Sequence, residues 1–557
     1  MAKQAAYDAV VIGGGHNGLV CAAYLAKAGK KVAVVERRAV LGGCATTEEL
    51  WPGYKVSTAA YVISLFLPEI IQDLKLRAHG LEILPRTPSS FTPLPDGRSL
   101  LMGPEPGLNQ REIAKFSPAD AEAYPRYESL LERVASVLEP VLSQTAPDPL
   151  PLPNEWRKVS FTKKMRDLKK QWSLYQAMAA LGEDLPAAVE ILTGAARPIL
   201  DRWFESDALK ATLATDAIIG AFLSISSPGS AYVLLHHVMG EAGGARGVWG
   251  YVRGGMGALS DAIARSATEM GVDILRETSV SEIHTNDGKV TGVTLSNGAT
   301  FDAPIVASSV DANLTYLKLL DSSVLPENFR TAIENIDYAS ASMKINLALA
   351  EPPNFTALPS SGIAPHHHGT MHIGPSLEYI ERAYDDAKYG RPSESPVIEM
   401  TMASSVDDTI APPGKHILSC FVQFAPYNLS SPPPLAGEGL GVGAAAPQTW
   451  DDIKDQFADR CVEIIGEYAP NVPGAIEHRQ VLSPVDLERV YGITGGNIMQ
   501  GAMNANQLFC FRPIAGWADH RCPIDGLYLC GAASHPGGGV MGACGKNAAG
   551  EILRDGR

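Results

Sequence analysis

Apolar residues near the start of the chain fall into short runs whose spacing predicts a strand, a helix and a second strand over residues 7–43. The run Ala9–Ile12 is typical of a buried parallel strand. Apolar positions then recur every three or four residues up to Gly29, which predicts a helix that ends at this glycine. A second apolar run, Val32–Val35, predicts the next strand. This order indicates an α/β domain with a parallel sheet.

The pattern changes in the middle of the chain. Residues 86–245 begin with a hairpin around an Asp-Gly turn and continue with helical spacings. The stretch 209–239 is mostly apolar with small residues, which is typical of a helical wall of the core and also of the wall of an apolar channel. Strand patterns alternate with loops over residues 335–430, as in a largely antiparallel sheet. Residues 450–470 predict an amphipathic helix.

The α/β pattern returns twice. In residues 246–311, a glycine loop and a helix precede one predicted strand at 274–283, a hairpin with an Asn-Gly turn and another buried strand. Near the C-terminus, residues 527–530 predict a strand, which a glycine-rich turn and a helix follow.

Three glycines separate the first strand from its helix at the spacing G-x-G-x-x-G: Gly13, Gly15 and Gly18. Gly13 permits a tight turn, Gly15 lets the backbone approach a pyrophosphate closely, and Gly18 lets the helix pack closely on the strand. The helix N-terminus presents free N–H groups and the positive end of its dipole to the anion. Glu36 follows the second strand, where a carboxylate accepts hydrogen bonds from ribose hydroxyls. These residues predict a dinucleotide site and leave NAD and FAD as alternatives.

Further glycines decide between these cofactors. Gly42 and Gly43 predict another close backbone approach, and the C-terminal strand, glycine turn and helix bring a second helix dipole to the same cofactor. Both features favour an extended FAD. The glycines at 254–257 lack a clean preceding strand and a ribose acid at the right distance, so no separate NAD(P) domain is predicted.

Composition and charge narrow the class of protein. The 557 residues suffice for two closely joined domains or three, and 45% apolar with 19% charged residues is typical of a soluble globular enzyme. The net charge is 46 − 61 = −15 and no basic run stands out, so no nucleic-acid partner is expected. We find no secretory signal and no apolar stretch of membrane-spanning length. We expect the protein in the cytoplasm, at the periphery of a membrane or, in a eukaryote, in the mitochondrial matrix. We do not expect it to be secreted.

Cysteines and histidines predict no metal centre and no redox disulfide. The eight cysteines form no C-x-x-C pair, which favours buried thiols in a reducing compartment. The histidines at 366–368 and His372 suggest a metal site or, more simply, a polar loop; they have no carboxylate or cysteine partner at matching spacing. The low-complexity segment 431–448 reads as a flexible surface insertion.

The segments GGGHNGL, ERRAVLGG, RGGMGAL, TSVSEI and DGLYLCGAASHPGGGVMGACGKNAA resemble the FAD-dependent amine oxidase and phytoene desaturase superfamily, from residue 7 to the C-terminus. Within it, GHNGLV, GRPSESPVIEMTMAS and APPGKH are most similar to a phytoene-dehydrogenase-like group. The resemblance implies an α/β fold, α+β overall, with a Rossmann-like FAD-binding domain of the glutathione-reductase type and an interleaved substrate domain of mixed sheet and helices. The implied FAD-binding parts are 1–85, 246–320 and 486–557, and the implied substrate-domain parts are 86–245 and 321–485.

The resemblance also implies roles for single residues. Glu36 would bind the adenosine ribose, Arg37 or Arg38 would cover the adenine side, and the backbone of Val280 would meet the adenine. Gly42, Gly43, Ala45 and Thr46 would lie along the flavin. Gly531 and the turn at 539–541 would meet its ribityl chain and pyrimidine edge. The complete set of implied FAD contacts is Gly13, Gly15, His16, Asn17, Gly18, Glu36, Arg37, Arg38, Gly42, Gly43, Ala45, Thr46, Val280, Gly531, Gly539, Val540 and Met541.

The implied reaction is removal of two electrons from a C–H or C–N bond, with hydride transfer to flavin N5. His535 is the best protein candidate near the flavin, with a structural role as the alternative; Tyr251 and Arg512 are weaker candidates. For Cys44, tight packing is favoured over a catalytic thiol.

The implied partners are an apolar substrate of isoprenoid or carotenoid type and an electron acceptor such as oxygen or a quinone. A non-catalytic protein that binds lipids or prenylated partners and an amine oxidase are the alternatives. The sequence lacks an evident aromatic cage for the amine oxidase. The sequence leaves open whether the protein contacts a membrane surface and whether it forms a homo-oligomer.

Overall fold

The computed structural model describes residues 4–148, 161–242, 245–246, 248–430 and 448–556. The predicted insertion at 431–448 therefore lies, except for its last residue, outside the described residues. The described strands are β1 (Gln4–Ala6), β2 (Ala9–Ile12), β3 (Val32–Val35), β4 (Glu48–Trp51), β5 (Tyr54–Val56), β6 (Ile83–Pro85), β7 (Ser90–Pro93), β8 (Ser99–Met102), β9 (Glu241–Ala242), β10 (Ala245–Arg246), β11 (Gly250–Val252), β12 (Asp273–Leu275), β13 (Val280–Asn286), β14 (Lys289–Leu295), β15 (Thr300–Asp302), β16 (Val306–Ser308), β17 (Ser342–Leu349), β18 (Thr370–Ile373), β19 (Val397–Thr401), β20 (His416–Gln423), β21 (Ile476–Leu482) and β22 (Leu527–Leu529).

The α-helices of the described ranges connect these strands or form a separate layer. They are α1 (His16–Lys27), α2 (Pro68–Asp73), α3 (Leu108–Ile113), α4 (Pro118–Leu142), α5 (Phe161–Ala179), α6 (Leu185–Thr193), α7 (Ala196–Trp203), α8 (Asp207–Thr215), α9 (Ser230–Val238), α10 (Gly257–Glu269), α11 (Glu327–Glu334), α12 (Leu377–Lys388), α13 (Trp450–Tyr468), α14 (Val472–Ala475), α15 (Pro484–Tyr491) and α16 (Ala543–Arg554).

A five-stranded parallel sheet in the order β12-β3-β2-β16-β22 forms the centre of the α/β part. Its strands are short apolar runs because both faces of the sheet are buried. On one face, side chains of β2 and β3 pack against α1, α10 and α16. On the other face, they pack against the four-stranded sheet β1-β15-β14-β13. This architecture confirms the predicted α/β fold with a Rossmann-like layer.

The predicted single strand at 274–283 is wrong in one respect. β12 belongs to the parallel sheet, whereas β13 belongs to the four-stranded sheet. Between them, Glu277 adopts a left-handed conformation with φ 56°. The polar residues of this crossing cannot extend either strand, since the chain changes layers here. The Asn-Gly hairpin between β14 and β15 is confirmed.

A seven-stranded sheet in the order β21-β17-β20-β19-β18-β7-β8 carries the second half of the fold. Its neighbouring strands are antiparallel except for the parallel pair β18 and β7. This sheet confirms the predicted antiparallel arrangement and the hairpin around the Asp-Gly turn. The predicted amphipathic helix is α13, which packs its apolar side on this sheet.

The helical layer confirms the helical interpretation of residues 86–245. Helices α4 and α6 to α9 share one apolar core. Within the stretch 209–239, most side chains belong to this core, whereas Ile219, His236 and His237 reach a large cavity. The stretch therefore serves both as a core wall and as a cavity wall. Across the described part of the chain, no helix is long and apolar enough to span a membrane.

The prediction of buried thiols is confirmed for seven cysteines, whereas the histidine prediction needs a correction. All eight cysteines are free thiols. The histidines at 366–368 and His372 do not form a polar loop: His366 and His367 are buried in a short 3-10 turn, and His372 is buried in β18. His367 Nε2 lies 2.7 Å from the carbonyl oxygen of Pro353, so this ring is held by the backbone. Among the described residues, no group of metal-binding side chains comes together.

Candidate cofactor and substrate site

A large cavity opens at the carboxyl edge of the parallel sheet. It encloses about 1480 Å³, part of which is open to solvent. Gly13 follows β2, Glu36 follows β3 and Ser309 follows β16, and all three residues line it. The crossovers from the central strands leave in opposite directions here, which is where open α/β sheets bind their ligands. Of the predicted FAD contacts, the cavity is lined by Gly13, Gly15, His16, Asn17, Glu36, Gly42, Gly43, Gly539 and Val540.

Several glycines bring backbone segments closer than any side chain permits. A Cβ atom on Gly18 would lie 2.2 Å from the carbonyl oxygen of Gly13, so helix α1 rests directly on the end of β2. A Cβ atom on Gly42 would lie 2.1 Å from the carbonyl oxygen of Ala45, and Gly42 has φ +108°. These contacts form a surface of backbone without side chains at the cavity, which we call the glycine cradle.

Two helix N-termini meet at this cradle. Helix α1 follows Gly15 and helix α16 follows Gly542, and neither has a side-chain cap. The helices pack closely, since a Cβ atom on Gly545 would lie 2.0 Å from the carbonyl oxygen of Asn17. Their first N–H groups and positive dipole ends favour an anion, such as a pyrophosphate or a negatively charged ring edge.

Buried polar atoms also fit a dinucleotide. His16 Nε2 and Asn17 Oδ1 are buried and have no hydrogen-bond partner within the described ranges. Burial lowers the pKa of His16 to about 4, so its ring is neutral near pH 7. Orphaned buried polar atoms are costly unless a ligand satisfies them. Their position beside the glycine cradle therefore suits FAD.

Glu36 connects the glycine loop to the second strand. One carboxylate oxygen accepts a hydrogen bond from the Gly14 N–H at 2.7 Å, and the other accepts from the Arg38 N–H at 2.8 Å. The side chain is buried but lines the cavity. A carboxylate retains further lone pairs after two such bonds, so Glu36 can also accept from a ribose hydroxyl.

Glu36→Ala is expected to weaken FAD binding by about 10- to 100-fold, because a hydrogen bond to a charged group contributes roughly 1.5–3 kcal/mol. The measurement is titration of the apoprotein with FAD, followed by flavin fluorescence. Glu282→Ala is the matched control, since Glu282 is an exposed carboxylate on the neighbouring sheet. Unchanged affinity in Glu36→Ala would contradict the ribose assignment.

The two arginines after Glu36 contact protein rather than the cavity. Arg37 donates to the carbonyl oxygens of Arg489 and Val490. Arg38 pairs with Glu48 at 2.7 Å, and its guanidinium carbon lies 5.1 Å from the centre of the Tyr491 ring. Because Tyr491 lines the cavity, these arginines position its wall. Their adenine contact stays a prediction.

The remaining predicted FAD contacts do not line the cavity themselves. A Cβ atom on Gly531 would lie 2.3 Å from the carbonyl oxygen of Ser309, so both strand ends meet there. Ala45 accepts a hydrogen bond from Ser260, and Met541 is buried directly after Val540. The roles of Ala45, Thr46, Val280, Gly531 and Met541 stay predictions.

The environment of His535 favours its structural alternative. The side chain is fully buried, and Nε2 lies 2.9 Å from the carbonyl oxygen of Val141. Burial lowers its pKa to about 3, so the ring is neutral near pH 7. It does not belong to the cavity wall. A proton-transfer role therefore needs another side chain.

The weaker catalytic candidates are also engaged in structural bonds. Tyr251 donates its hydroxyl to the carbonyl oxygen of His368 at 3.1 Å. Arg512 is fully buried and donates to backbone carbonyls, including that of Ala532 at 2.9 Å. Cys44 lines the cavity, and burial raises the pKa of its thiol to about 11, which favours packing over nucleophilic chemistry.

Sequence reasoning missed the part of the cavity wall where Lys344, Tyr61 and Phe421 meet. Lys344 is 2% exposed, and its Nζ lies 3.6 Å from the centre of the Tyr61 ring without a hydrogen-bond partner among the described residues. Burial lowers the pKa of Lys344 to about 7. The available signal was a lone charged residue in the otherwise uncharged strand β17.

Two histidines also line the cavity, and both are uncharged. His236 and His237 are neutral near pH 7, because burial lowers their pKa values to about 3 and about 4. Tyr61 donates its hydroxyl to Glu399 at 2.6 Å, and burial raises the pKa of this carboxyl group. The apolar residues that line the cavity include Leu65, Ile219, Phe421, Leu487, Ile493, Ile498 and Met499.

The parallel sheet, the glycine cradle and the two helix N-termini define a dinucleotide-binding protein. More specifically, the chain belongs to the flavin containing amine oxidoreductase family, whose sequence model matches residues 18–429. It is an FAD-dependent oxidoreductase, and the resemblance seen in the sequence is confirmed.

Similar proteins cover nearly the whole chain. The rat protein called pyridine nucleotide-disulfide oxidoreductase domain-containing protein 2 is 45% identical over 99% of this chain and 94% of its own length. A lycopene-forming phytoene desaturase of Pseudescherichia vulneris is 24% identical over 96% of each chain. The crystal structure of an oxidoreductase from Methanosarcina mazei has a TM-score of 0.56 at 17% identity, over 99% of this chain and 100% of that one, and shows the same fold.

Proposed function

We propose that this protein is an FAD-dependent dehydrogenase that introduces a double bond into an apolar substrate of isoprenoid type. The observation that carries the proposal is the lining of the cavity, in which apolar residues and neutral histidines accompany one buried lysine. Such walls bind a hydrocarbon by excluding water and offer a charged substrate little compensation. The similarity to a phytoene desaturase supports the same substrate class.

FAD, when bound, supplies the acceptor for a hydride from the substrate. The protein orients the substrate between apolar walls and keeps water away from it. Formation of a double bond also requires loss of a proton from the neighbouring carbon, whose C–H electron pair becomes the new bond. Lys344 with its neutral amine is the base in this proposal, and the proton ends on Nζ. Its lowered pKa keeps a large fraction neutral near pH 7.

The lining also bears on the amine oxidase alternative. Tyr61 and Phe421 lie with ring centres 6.2 Å apart, which is the one feature that favours an amine substrate. However, Nζ of Lys344 already covers the Tyr61 ring. A substrate ammonium group would have to displace Nζ from this ring face, so an uncharged substrate fits better.

We also propose the division into interleaved parts that the resemblance implies. The FAD-binding parts would be 1–85, 246–320 and 486–557, and the substrate-domain parts 86–245 and 321–485. In support, β2, β3, β12, β16 and β22 of the parallel sheet all come from the first set.

Anaerobic mixing of the holoenzyme with polyenes, retinoids, fatty acyl compounds and amines tests the proposed reaction. We expect loss of the visible flavin absorbance with isoprenoid hydrocarbons and none with amines. Reduction by amines, with peroxide release in air, would establish the amine oxidase instead. If no donor reduces the flavin and the protein binds a prenylated protein tightly, the binding-protein alternative is established.

A further inference from the structure

Helix α5 turns its apolar side away from the protein. Its large apolar residues recur every three or four positions and therefore form one stripe along the helix. We call these residues the α5 stripe, and their exposed fractions are far above those of core residues: Phe161 77%, Met165 49%, Leu168 56%, Trp172 59% and Tyr175 63%. Contiguous exposed apolar surface of this kind marks an interaction site.

Polar bonds on the opposite side fix this orientation. Arg166 pairs with the fully buried Glu551 at 3.5 Å. Lys170 donates to the carbonyl oxygen of Thr145 at 2.9 Å, and Gln171 donates to that of Asp148. Rotation of α5 to bury the stripe would break these three bonds. The fold therefore fixes the outward orientation of the stripe.

The charge of α5 indicates what covers the stripe. The helix contains the cations Lys163, Lys164, Arg166, Lys169 and Lys170 and one anion, Asp167. Its net charge is 5 − 1 = +4, in a chain whose net charge is −15. Lys164 and Lys169 are exposed beside the stripe. A symmetric contact between two copies through this helix would bring like charges together, which disfavours a dimer here.

We propose that the α5 stripe docks this protein on the surface of an anionic lipid bilayer, with α5 lying in the plane of the interface. An amphipathic helix with apolar residues on one side and flanking lysines binds such surfaces. Trp172 and Tyr175, whose rings stack at 5.4 Å, suit the headgroup level. The proposal stands independently of the proposed reaction, although a bilayer is also where an apolar substrate dissolves.

Flotation of the holoenzyme with vesicles tests the docking. We expect binding to phosphatidylcholine mixed with phosphatidylglycerol to be at least about tenfold tighter than to phosphatidylcholine alone, since each juxtaposed lysine contributes about fivefold on an anionic surface. Leu168→Gln and Trp172→Gln should each weaken binding about tenfold by removing an inserted side chain. Lys164→Gln combined with Lys169→Gln should remove most of the preference for the anionic lipid.

Val189→Gln and Tyr389→Gln are matched controls, because these side chains are 48% and 65% exposed outside the stripe. Equal vesicle binding by the stripe variants and the controls would overturn the proposal, as would failure of the parent protein to bind either vesicle. A dimer seen by light scattering that Trp172→Gln dissociates would assign the stripe to a second copy instead. The flavin spectrum and the rate of reduction by a soluble donor should stay unchanged in every variant, so failure here is distinguishable from failure of the proposed reaction.

Discussion

Gly18→Ala is expected to yield protein that no longer retains FAD. The added Cβ would lie 2.2 Å from the Gly13 carbonyl oxygen and 3.0 Å from Ser309 Cβ. Neither atom can move away unless the backbone that carries it also moves. Helix α1 must then move away from β2, and its N-terminus moves with it. Forced overpacking of this kind costs about 3 kcal/mol, which corresponds to a roughly 100-fold higher Kd for FAD.

Absorbance of the purified protein and titration with FAD measure this effect. Gly362→Ala is the matched control, because a Cβ atom there meets no atom within 4 Å and the backbone is not left-handed. The control should purify with full flavin content and an unchanged Tm, whereas Gly18→Ala should also lose the thermal stabilisation that a bound ligand provides. Normal flavin content in Gly18→Ala would mean that helix α1 does not rest on the cradle as the structure describes.

Lys344→Met is expected to slow flavin reduction by the apolar substrate about 100- to 1000-fold, which lies within the range typical of a lost general base. The neutral amine is the active form, so the rate for the parent protein should rise with pH through about 7, where the pKa of Lys344 lies. The variant should lose this rise. Its affinity for FAD should not change, since Lys344 is not among the predicted FAD contacts.

Anaerobic stopped-flow measurements across the pH range provide both readouts. Lys415→Met is the matched control, because Lys415 is a partly exposed lysine that pairs with Glu477 at the surface. If Lys344→Met kept the same pH profile with a lower rate, Lys344 would only position other groups. If its rate were unchanged, the base would be another residue.

The cofactor half of the site was predictable because its signals are local. Strand β2, the glycines and helix α1 follow one another within twenty residues, and each residue type has a specific backbone role. The C-terminal turn repeats the same order of strand, glycine and helix. The strand at 274–283 was mispredicted because the sequence does not show that the chain changes layers at Glu277.

The substrate half was not predictable from spacing. Tyr61, Lys344 and Phe421 come from a loop and from two strands of the seven-stranded sheet, and only the pairing of β17 with β20 brings Lys344 next to Phe421. His535 lies beside the predicted glycine turn, yet the fold directs its ring to the carbonyl of Val141. Proximity in sequence therefore identified the cradle, whereas the chemistry depends on contacts between distant segments.

One anaerobic single-turnover experiment tests the central claim, which is that this cavity removes two hydrogens from an apolar substrate. Holoenzyme is mixed with the hydrocarbon that reduces it fastest, and flavin absorbance and product are measured together. We expect one new carbon–carbon double bond for each FAD reduced. Flavin that stays oxidised with every hydrocarbon, or a product that retains all its hydrogens, would contradict the account.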